Sequence, residues 1–167
     1  GHNTFYSVGS LKGSQIFVKM HRLLLNPLPN EQVDHINHLG LDNRRSNIRV
    51  CNSSQNHQNQ RHTSNRFKGP GSYYRKFYSQ IRSDSKNIYL GLFETEIEAA
   101  IAYDLFSFRF YKEFGLRNFN IDYSPYISEL EIGNTKQTKL IVSQVIKDHP
   151  ELLDLGAKNG RNSAKNS

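Results

Sequence analysis

Four polar residues in one short stretch have side chains that together could hydrolyse a phosphodiester bond. Asp34 and His35 are adjacent, Asn47 follows a polar stretch, and Asn56 comes shortly after it. A carboxylate and an amide oxygen are hard ligands suited to Mg²⁺ or Mn²⁺. An imidazole titrates near neutral pH and therefore suits a general base. Hydrolysis needs both, because the base activates the attacking water and the cation stabilises the charge that develops on the phosphate.

These side chains can meet only if the chain folds back on itself between them. The residue pattern predicts short strands over residues 15–20 and 48–51, a turn-rich loop over 37–46 and a short helix over 53–62. Ser53 or Ser54 would be the N-cap of the helix. Asp34 and His35 would then end a strand, and strand, loop, strand and helix together would bring them close to Asn56.

This part of the chain, roughly residues 15–60, resembles the HNH endonucleases, in particular the phage- and intron-type homing enzymes with an H-N-N variant of the motif. The matching segments are HRL at 21–23, VDHIN at 33–37, DNRRSNIRV at 42–50 and QN at 55–56. The resemblance implies a ββα-metal fold in which Asp34 and Asn56 bind one Mg²⁺ ion and His35 is the general base. It further implies that Asn47 hydrogen-bonds backbone across the loop to hold His35, and that Arg49 contacts a phosphate. Asn56 stands where many family members have histidine.

Other residues in this stretch have less defined roles. His21 belongs to the HRL segment, which precedes the site in the family pattern. It could either contact the phosphate or pack beneath the site. Asn43 and Arg44 are expected to shape the loop, and Cys51 to fill a small core.

The segment from residue 67 to residue 120 predicts a sheet followed by a helix. After the glycines and proline at 69–71, Phe77, Ser79 and Ile81 alternate with polar residues, which is typical of a half-buried strand. Residues 88–93 predict a second long strand. Thr95 and Glu98 form the pattern of a capping box at the start of a helix, and the helix is expected to stop at Gly115. We therefore expect a three-stranded antiparallel sheet packed on one helix.

Charge is concentrated on the predicted strands of this segment. The chain has a net charge of +7, with 22 basic and 15 acidic residues, and a pI of about 9.5. Residues 67–93 have five Lys or Arg and one Asp, a net charge of 5 − 1 = +4, whereas residues 94–120 have three basic and five acidic residues, 3 − 5 = −2. A basic strand surface next to an acidic helix indicates a polyanionic partner such as nucleic acid on the sheet side.

The same segment resembles an Apetala-2-type, or ethylene-response-factor, DNA-binding domain. The matching pieces are FKG at 67–69, IYLGLFET at 88–95, EAAIAYD at 98–104 and RNFN at 117–120. The resemblance implies DNA contacts by Lys68, Tyr74, Arg75, Gln80, Arg82 and Tyr89. The chain has no Trp, which the family often has, and Pro70-Gly71 replace a turn that usually contains Val and Arg, so the base preference is not transferable.

The chain is accordingly predicted to be α+β, with a nuclease domain over residues 1–65 and a DNA-binding domain over residues 66–120. A C-terminal extension over 121–167 would contain a helix from Lys136 to Lys147 and a disordered tail from Asn159. The predicted function is that of a homing-type DNA endonuclease, nicking or cleaving both strands, which acts as a monomer on double-stranded DNA. The alternative is a sequence-specific DNA-binding regulator whose nuclease domain has lost activity.

Three further features bear on where such a protein would work. The apolar runs are shorter than the roughly 20 residues that a membrane-spanning helix needs. The N-terminus lacks the basic and then apolar pattern of a signal peptide. Cys51 is the only cysteine, which excludes a disulfide within the chain. We expect no membrane association and an intracellular location: the cytoplasm of a bacterial or phage-infected cell, or an organelle or nucleus in a eukaryote.

Overall fold

The structure, a computed structural model, describes residues 5–10, 16–60, 67–83 and 86–160, with side chains as far as residue 155. It is mixed α+β, as predicted, with small antiparallel sheets and several helices. The chain divides into two compact units, Gly1–Gln60 and Arg61–Ser167. In the described part of the chain, no helix is both long enough and apolar enough to cross a membrane.

The first unit contains two short hairpins and two short helices. In chain order these are β1 (Val8–Ser10), β2 (Phe17–Lys19), α1 (Met20–Leu25), β3 (Gln32–His35), β4 (Ile48–Cys51) and α2 (Ser53–Gln58). β1 pairs with β2 and β3 pairs with β4, both antiparallel. The prediction of β4 is confirmed. The strand predicted over 15–20 is wrong at its end, because Met20 begins α1, a run of residues without branching at Cβ in which Met, Arg and Leu favour helix.

The predicted start of α2 at Ser53 is confirmed, but its N-cap lies one residue earlier than predicted. Asn52, and neither Ser53 nor Ser54, is the N-cap: its side chain accepts a hydrogen bond from the backbone of Gln55, whose own side chain accepts one from the backbone of Asn52. This reciprocal pair satisfies two backbone donors of the first turn. The helix ends at Gln58, short of the predicted end at residue 62, which lies outside the described residues.

The second unit begins with the expected three-stranded antiparallel sheet. Its strands are β5 (Pro70–Tyr73), β6 (Lys76–Ser83) and β7 (Lys86–Phe93), in that order across the sheet. On β6, Ser79 and Ile81 are buried whereas Gln80 and Arg82 are exposed, which confirms the predicted alternation. The register shifts between Ser79 and Gln80. This bulge adds one residue to β7. Leu90 and Phe93 are three positions apart and would face opposite sides of a regular strand, but with the bulge both are buried in the core.

The helix α3 (Glu96–Tyr111) packs across this sheet. Its predicted capping box is confirmed, since the side chains of Thr95 and Glu98 each bond the other's backbone. α3 itself ends at Tyr111, before the predicted stop, because Lys112 adopts a positive φ of 49°. A 3₁₀ turn over Lys112–Phe114 follows directly and ends at Gly115, so the helical segment as a whole stops where it was predicted to. A Cβ at Gly115 would lie 2.4 Å from the Ser107 hydroxyl.

Two C-terminal helices complete the second unit. The helix predicted from 136 to 147 is confirmed as α4 (Thr135–Asp148), which contacts β7 and α3. It is followed by α5 (Glu151–Gly160). Val142 and Val145 of α4 and Leu152 of α5 are buried in the same core as α3. The tail predicted to be disordered from Asn159 falls mostly on residues outside the described ones.

The two units bury very different amounts of apolar surface. In the described part of the first unit, the buried hydrophobic residues are Ile48 and Cys51. The second unit has a continuous core in which α3 residues such as Ile101, Leu105 and Phe106 meet the sheet and α4. The hydrophobic effect therefore stabilises mainly the second unit.

Asp104 lies fully buried in α3 and joins that helix to the chain that follows it. Its carboxylate accepts hydrogen bonds from the backbone N–H groups of Asn118 (2.8 Å) and Phe119 (2.9 Å) and from the Tyr123 hydroxyl (3.0 Å). The Asn118 side chain adds a bond at 2.9 Å. Burial raises the pKa of Asp104 to about 7, although these donors act in the opposite direction.

We expect Asp104→Asn to destabilise the protein by about 1–3 kcal/mol at pH 5, because both oxygens of the protonated carboxyl group can still accept, whereas an amide has one acceptor oxygen and would place its NH₂ group against a buried backbone N–H. Because the folded pKa is raised, the carboxyl group contributes stability below about pH 4 that is lost as the pH rises through 7. The unfolding free energy of the wild type should therefore fall over this interval relative to that of the variant. Denaturant titration at several pH values measures both, with exposed Asp122→Asn as control. A difference that does not change with pH would contradict the raised pKa.

Candidate functional site

An ion pair inside the β3–β4 hairpin holds the first candidate site together. Asp34 and Arg49 are directly opposite each other in the register. Arg49 donates to Asp34 Oδ2 from Nε (3.0 Å) and from Nη2 (2.8 Å), and both side chains are largely buried. The Asn59 amide donates to both carboxylate oxygens at 3.0 Å and to the His35 carbonyl at 3.2 Å. The buried charge of Asp34 is thus both paired and hydrogen-bonded, as a buried carboxylate requires.

Asn56, the second predicted metal ligand, has a different partner. Its Nδ2 donates to Gln32 Oε1 at 2.6 Å. Gln32 and Asp34 alternate on β3 and so share one face, and Asn56 and Asn59 are one helical turn apart at the end of α2. The structure therefore brings Asn59 to Asp34, and Asn56 to the neighbouring Gln32. The sequence analysis missed Asn59, although its three-residue spacing from Asn56 was a signal.

Asp34 and Asn56 each have a side-chain oxygen that could ligate a divalent cation. Asp34 Oδ2 accepts from Arg49 and Asn59, whereas Oδ1 accepts only from Asn59 among the described residues and keeps a lone pair. The bond to Gln32 uses the nitrogen of the Asn56 amide and leaves its oxygen for a ligand. Carboxylate and amide oxygens are of the type that a hard cation such as Mg²⁺ binds. Arg49 already neutralises Asp34, so we expect the affinity of this pair for a cation to be low.

His35, the predicted general base, is buried next to this carboxylate. Its Nε2 lies 3.2 Å from the side-chain oxygen of Asn43, which can only accept, so the ring proton belongs on Nε2 and the lone pair on Nδ1. The ring lies edge-on to that of His21, with centroids 5.0 Å apart, and 5.8 Å from that of Tyr6. Asn43 was expected only to shape the loop. In the structure it also orients the imidazole.

Asn47 connects the two arms of the loop between β3 and β4. Its buried side chain donates to the Asp42 carbonyl at 2.8 Å and accepts from the Asn37 backbone at 3.0 Å. The Asn37 side chain in turn donates to the Asp42 carboxylate, and the pKa of that carboxyl group is held well below its usual range, chiefly by Arg44. These bonds fix the length and path of the loop that leads from His35.

The exposed face of the sheet in the second unit is the other candidate site. Of the six residues expected to contact DNA there, five are exposed: Tyr74, Arg75, Gln80, Arg82 and Tyr89. Gln80 and Tyr89 are register partners on adjacent strands. Tyr74 is 92% exposed at the tip of the β5–β6 hairpin, where its φ is 54°. A tyrosine at this φ is strained, and such strain is often found at binding sites.

Lys68, the sixth of these residues, is in a different environment. It is half-buried, and burial lowers the pKa of its ammonium group to about 8. Its backbone N–H and carbonyl both bond the Asn118 side chain. Its backbone therefore ties the start of the sheet to the segment after α3.

No protein family, curated protein or solved structure matches the chain. Within residues 5–10, 16–60, 67–83 and 86–160, no three His, Cys, Asp or Glu side chains form a group that could hold a metal ion. A cation at Asp34 would therefore depend on amide oxygens, water and phosphate oxygens for its remaining ligands.

The different partners of the two asparagines lead to a stability prediction. We expect Asn59→Ala to destabilise the first unit by about 1–3 kcal/mol, because it removes a buried donor from an ionised carboxylate. Half-buried Asn56→Ala should cost much less, since its partner Gln32 is only part-buried. Amide hydrogen exchange of β3 and β4 in the full chain measures the opening free energy of this unit. Equal losses of protection in the two variants would contradict the assignment of Asn59 as the partner of Asp34.

Proposed function

We propose that the first unit is a metal-dependent DNA endonuclease of the HNH type and that its β3, β4 and α2 form a ββα-metal site. One observation supports this above all. Asp34 and His35 end the same strand, and the carboxylate and the imidazole are each held by separate hydrogen bonds that leave a lone pair on Asp34 Oδ1 and on His35 Nδ1. A cation ligand and a proton acceptor on consecutive residues are the two elements that phosphodiester hydrolysis needs.

In the proposed reaction, His35 Nδ1 accepts a proton from a water molecule. The water oxygen forms a bond to phosphorus, and the bond between phosphorus and the 3′ oxygen breaks with its electron pair on that oxygen. The 3′ oxygen takes a proton from solvent, which gives a 3′-hydroxyl and a 5′-phosphate end. Mg²⁺ bound at Asp34 and Asn56 would stabilise the charge that develops on the phosphate and the leaving oxygen.

Arg49 has two roles in this proposal. In the absence of a cation it compensates the charge of Asp34, because an unpaired buried carboxylate would be strongly destabilising. When a cation takes over that compensation, the guanidinium can turn to a phosphate oxygen, the contact expected from the sequence. The cation and the DNA should therefore bind cooperatively.

The second unit is proposed to bind double-stranded DNA through the exposed face of β5–β7. Support comes from the cationic and aromatic side chains on that face, with Arg75, Gln80 and Arg82 all exposed. Arginine and glutamine can form paired hydrogen bonds with guanine and adenine edges in the major groove. A sheet is one of the elements that can enter that groove.

A second candidate function is DNA binding without cleavage, by a regulator whose nuclease site is inactive. The ion pair between Asp34 and Arg49 favours it, because the carboxylate is already satisfied without a metal. The two functions differ in one simple assay. Relaxation or linearisation of plasmid DNA in Mg²⁺ or Mn²⁺, and its absence in EDTA, would support the nuclease.

We expect His35→Ala to reduce plasmid cleavage by ~10²–10⁴-fold through loss of the general base, while the Kd for DNA in EDTA changes little. Exposed His57→Ala is the matched control and should cleave like the wild type. For the wild type, the rate should rise with Mg²⁺ concentration, and Asp34→Asn should shift that curve to higher concentrations. Wild-type turnover by His35→Ala would exclude this residue as the base.

On the second unit, we expect Gln80→Ala and Arg82→Ala to relax base preference at one or two positions, because each paired hydrogen bond to a base edge is worth ~1–3 kcal/mol of discrimination. Arg75→Ala, at the hairpin tip, should instead weaken binding to all sequences alike and lower the slope of log K against log salt by about 1. Selection from randomised sites at two salt concentrations distinguishes the two patterns, with exposed Lys147→Ala as control. Unchanged selectivity in both Gln80 and Arg82 variants would mean that this face does not read bases.

A further inference from the structure

His21 has a buried polar atom without a hydrogen-bond partner. The side chain is only 5% exposed, and its Nδ1 has no hydrogen-bond partner among the described residues. The ring contacts the rings of Tyr6 and His35 edge-on. Burial lowers the pKa of His21 to about 4, and the charges of His35, Lys19 and Arg22 contribute to a smaller extent. The imidazole is therefore neutral at pH 7 and can both donate and accept hydrogen bonds. Buried polar atoms in proteins are rarely left unpaired, so this nitrogen indicates a missing partner.

A cleft lies against the same histidine. It has a volume of about 460 Å³ and is lined by His21 together with Lys19, Arg22, Phe17 and Asn56 among others, which is within the ~300–1,000 Å³ usual for small-ligand sites. Its lining residues include two cations and no carboxylate. This charge favours an anion, and Phe17, 75% exposed, adds an aromatic surface on which a sugar or base could pack.

The cleft adjoins the proposed catalytic residues on two sides. Gln32 and Asn56, which are bonded to each other, form part of its wall, and Asn56 is a proposed metal ligand. On the other side, the ring of His21 packs against that of His35. An anion held here would therefore lie next to the phosphate that is hydrolysed.

We propose that this cleft binds a second phosphodiester of the DNA strand, adjacent to the one cleaved, with Lys19 and Arg22 supplying positive charge and the imidazole of His21 donating a hydrogen bond to a phosphate oxygen. The inference rests on the proposed function, since it takes DNA as the ligand. Arg22 also donates to the Glu31 carbonyl at 3.2 Å, which holds its guanidinium at the cleft wall. His21 is thus a substrate-binding residue, and through its ring contact it also positions His35.

The test uses the full chain in EDTA, so that binding is measured without cleavage. The probe is thymidylyl-thymidine, which has a single phosphodiester, and inorganic phosphate is titrated in parallel. We expect a saturable NMR shift of the His21 ring nitrogens with the dinucleotide. His21→Ala and Lys19→Ala should each raise the Kd about 10-fold or more, as expected for loss of a bond to a charged group. His21→Asn should retain part of the affinity because its amide can donate, and Lys147→Ala should bind like the wild type.

Each outcome is decisive for the subsite. No shift of His21 at millimolar dinucleotide, or wild-type Kd values for both His21→Asn and Lys19→Ala, would overturn it. If inorganic phosphate binds with the same affinity as the dinucleotide and shifts His21 equally, the cleft is a general anion site and is not specific for a phosphodiester of a DNA strand. Because Lys19 is exposed, its variant remains informative if His21→Ala does not fold. Dinucleotide binding that depends on His21 without any Mg²⁺-dependent plasmid cleavage would refute the proposed function and leave the subsite standing.

Discussion

A carboxylate removed from water has to be surrounded by donors, and each unit of this chain is organised around one such group. In the first unit, Asp34 binds Arg49 across the hairpin and Asn59 at the end of the helix. In the second, Asp104 binds Asn118 and its neighbours after α3. In both cases the donors come from distant parts of the sequence. The requirement to satisfy one buried charge therefore determines how separate elements are joined.

Under the proposed function, the first unit would use this arrangement for both folding and chemistry. The carboxylate that Arg49 and Asn59 stabilise is the one that would ligate a cation, so a cation must compete with groups that already satisfy Asp34. This competition protects the fold when no metal is present, because Asp34 is never left unpaired. Under the same proposal DNA would be a co-ligand, since its phosphates would supply oxygens to the cation and a new partner to Arg49.

The sequence predicted best what is determined by local contacts. β6 and the start of α3 followed from alternation and from a capping box that involves residues three positions apart. α1 was missed because six residues are too few for a clear helical period. The end of α3 was missed because Lys112 takes a backbone conformation that glycine usually adopts, which no local rule favours for lysine.

In the candidate site, too, local features were predicted from the sequence and non-local contacts were not. Asp34 and His35 were chosen from residue type and spacing and Asn47 from the family resemblance; the structure buries all three, and Asn47 bonds the backbone across the loop as expected. The choice of Asn59 over Asn56 as the partner of Asp34 depends on where α2 crosses the hairpin, a non-local distance that spacing does not fix. The pairing of Asp34 with Arg49 depends in the same way on the register of β3 and β4. The unpaired nitrogen of His21 depends on three elements meeting, and no motif encodes it.

The difference in apolar burial between the units has a thermodynamic consequence. The heat capacity change of unfolding comes largely from apolar surface, and among the described residues of the first unit the buried hydrophobic side chains are those of Ile48 and Cys51. Its stability should therefore vary little with temperature and fall gently with denaturant, whereas the second unit should unfold in a sharp transition. A unit held by polar contacts in this way gains most from ligands that bind only its folded form. Its melting temperature would then report occupancy by metal and DNA, while that of the second unit would report the core beneath the sheet.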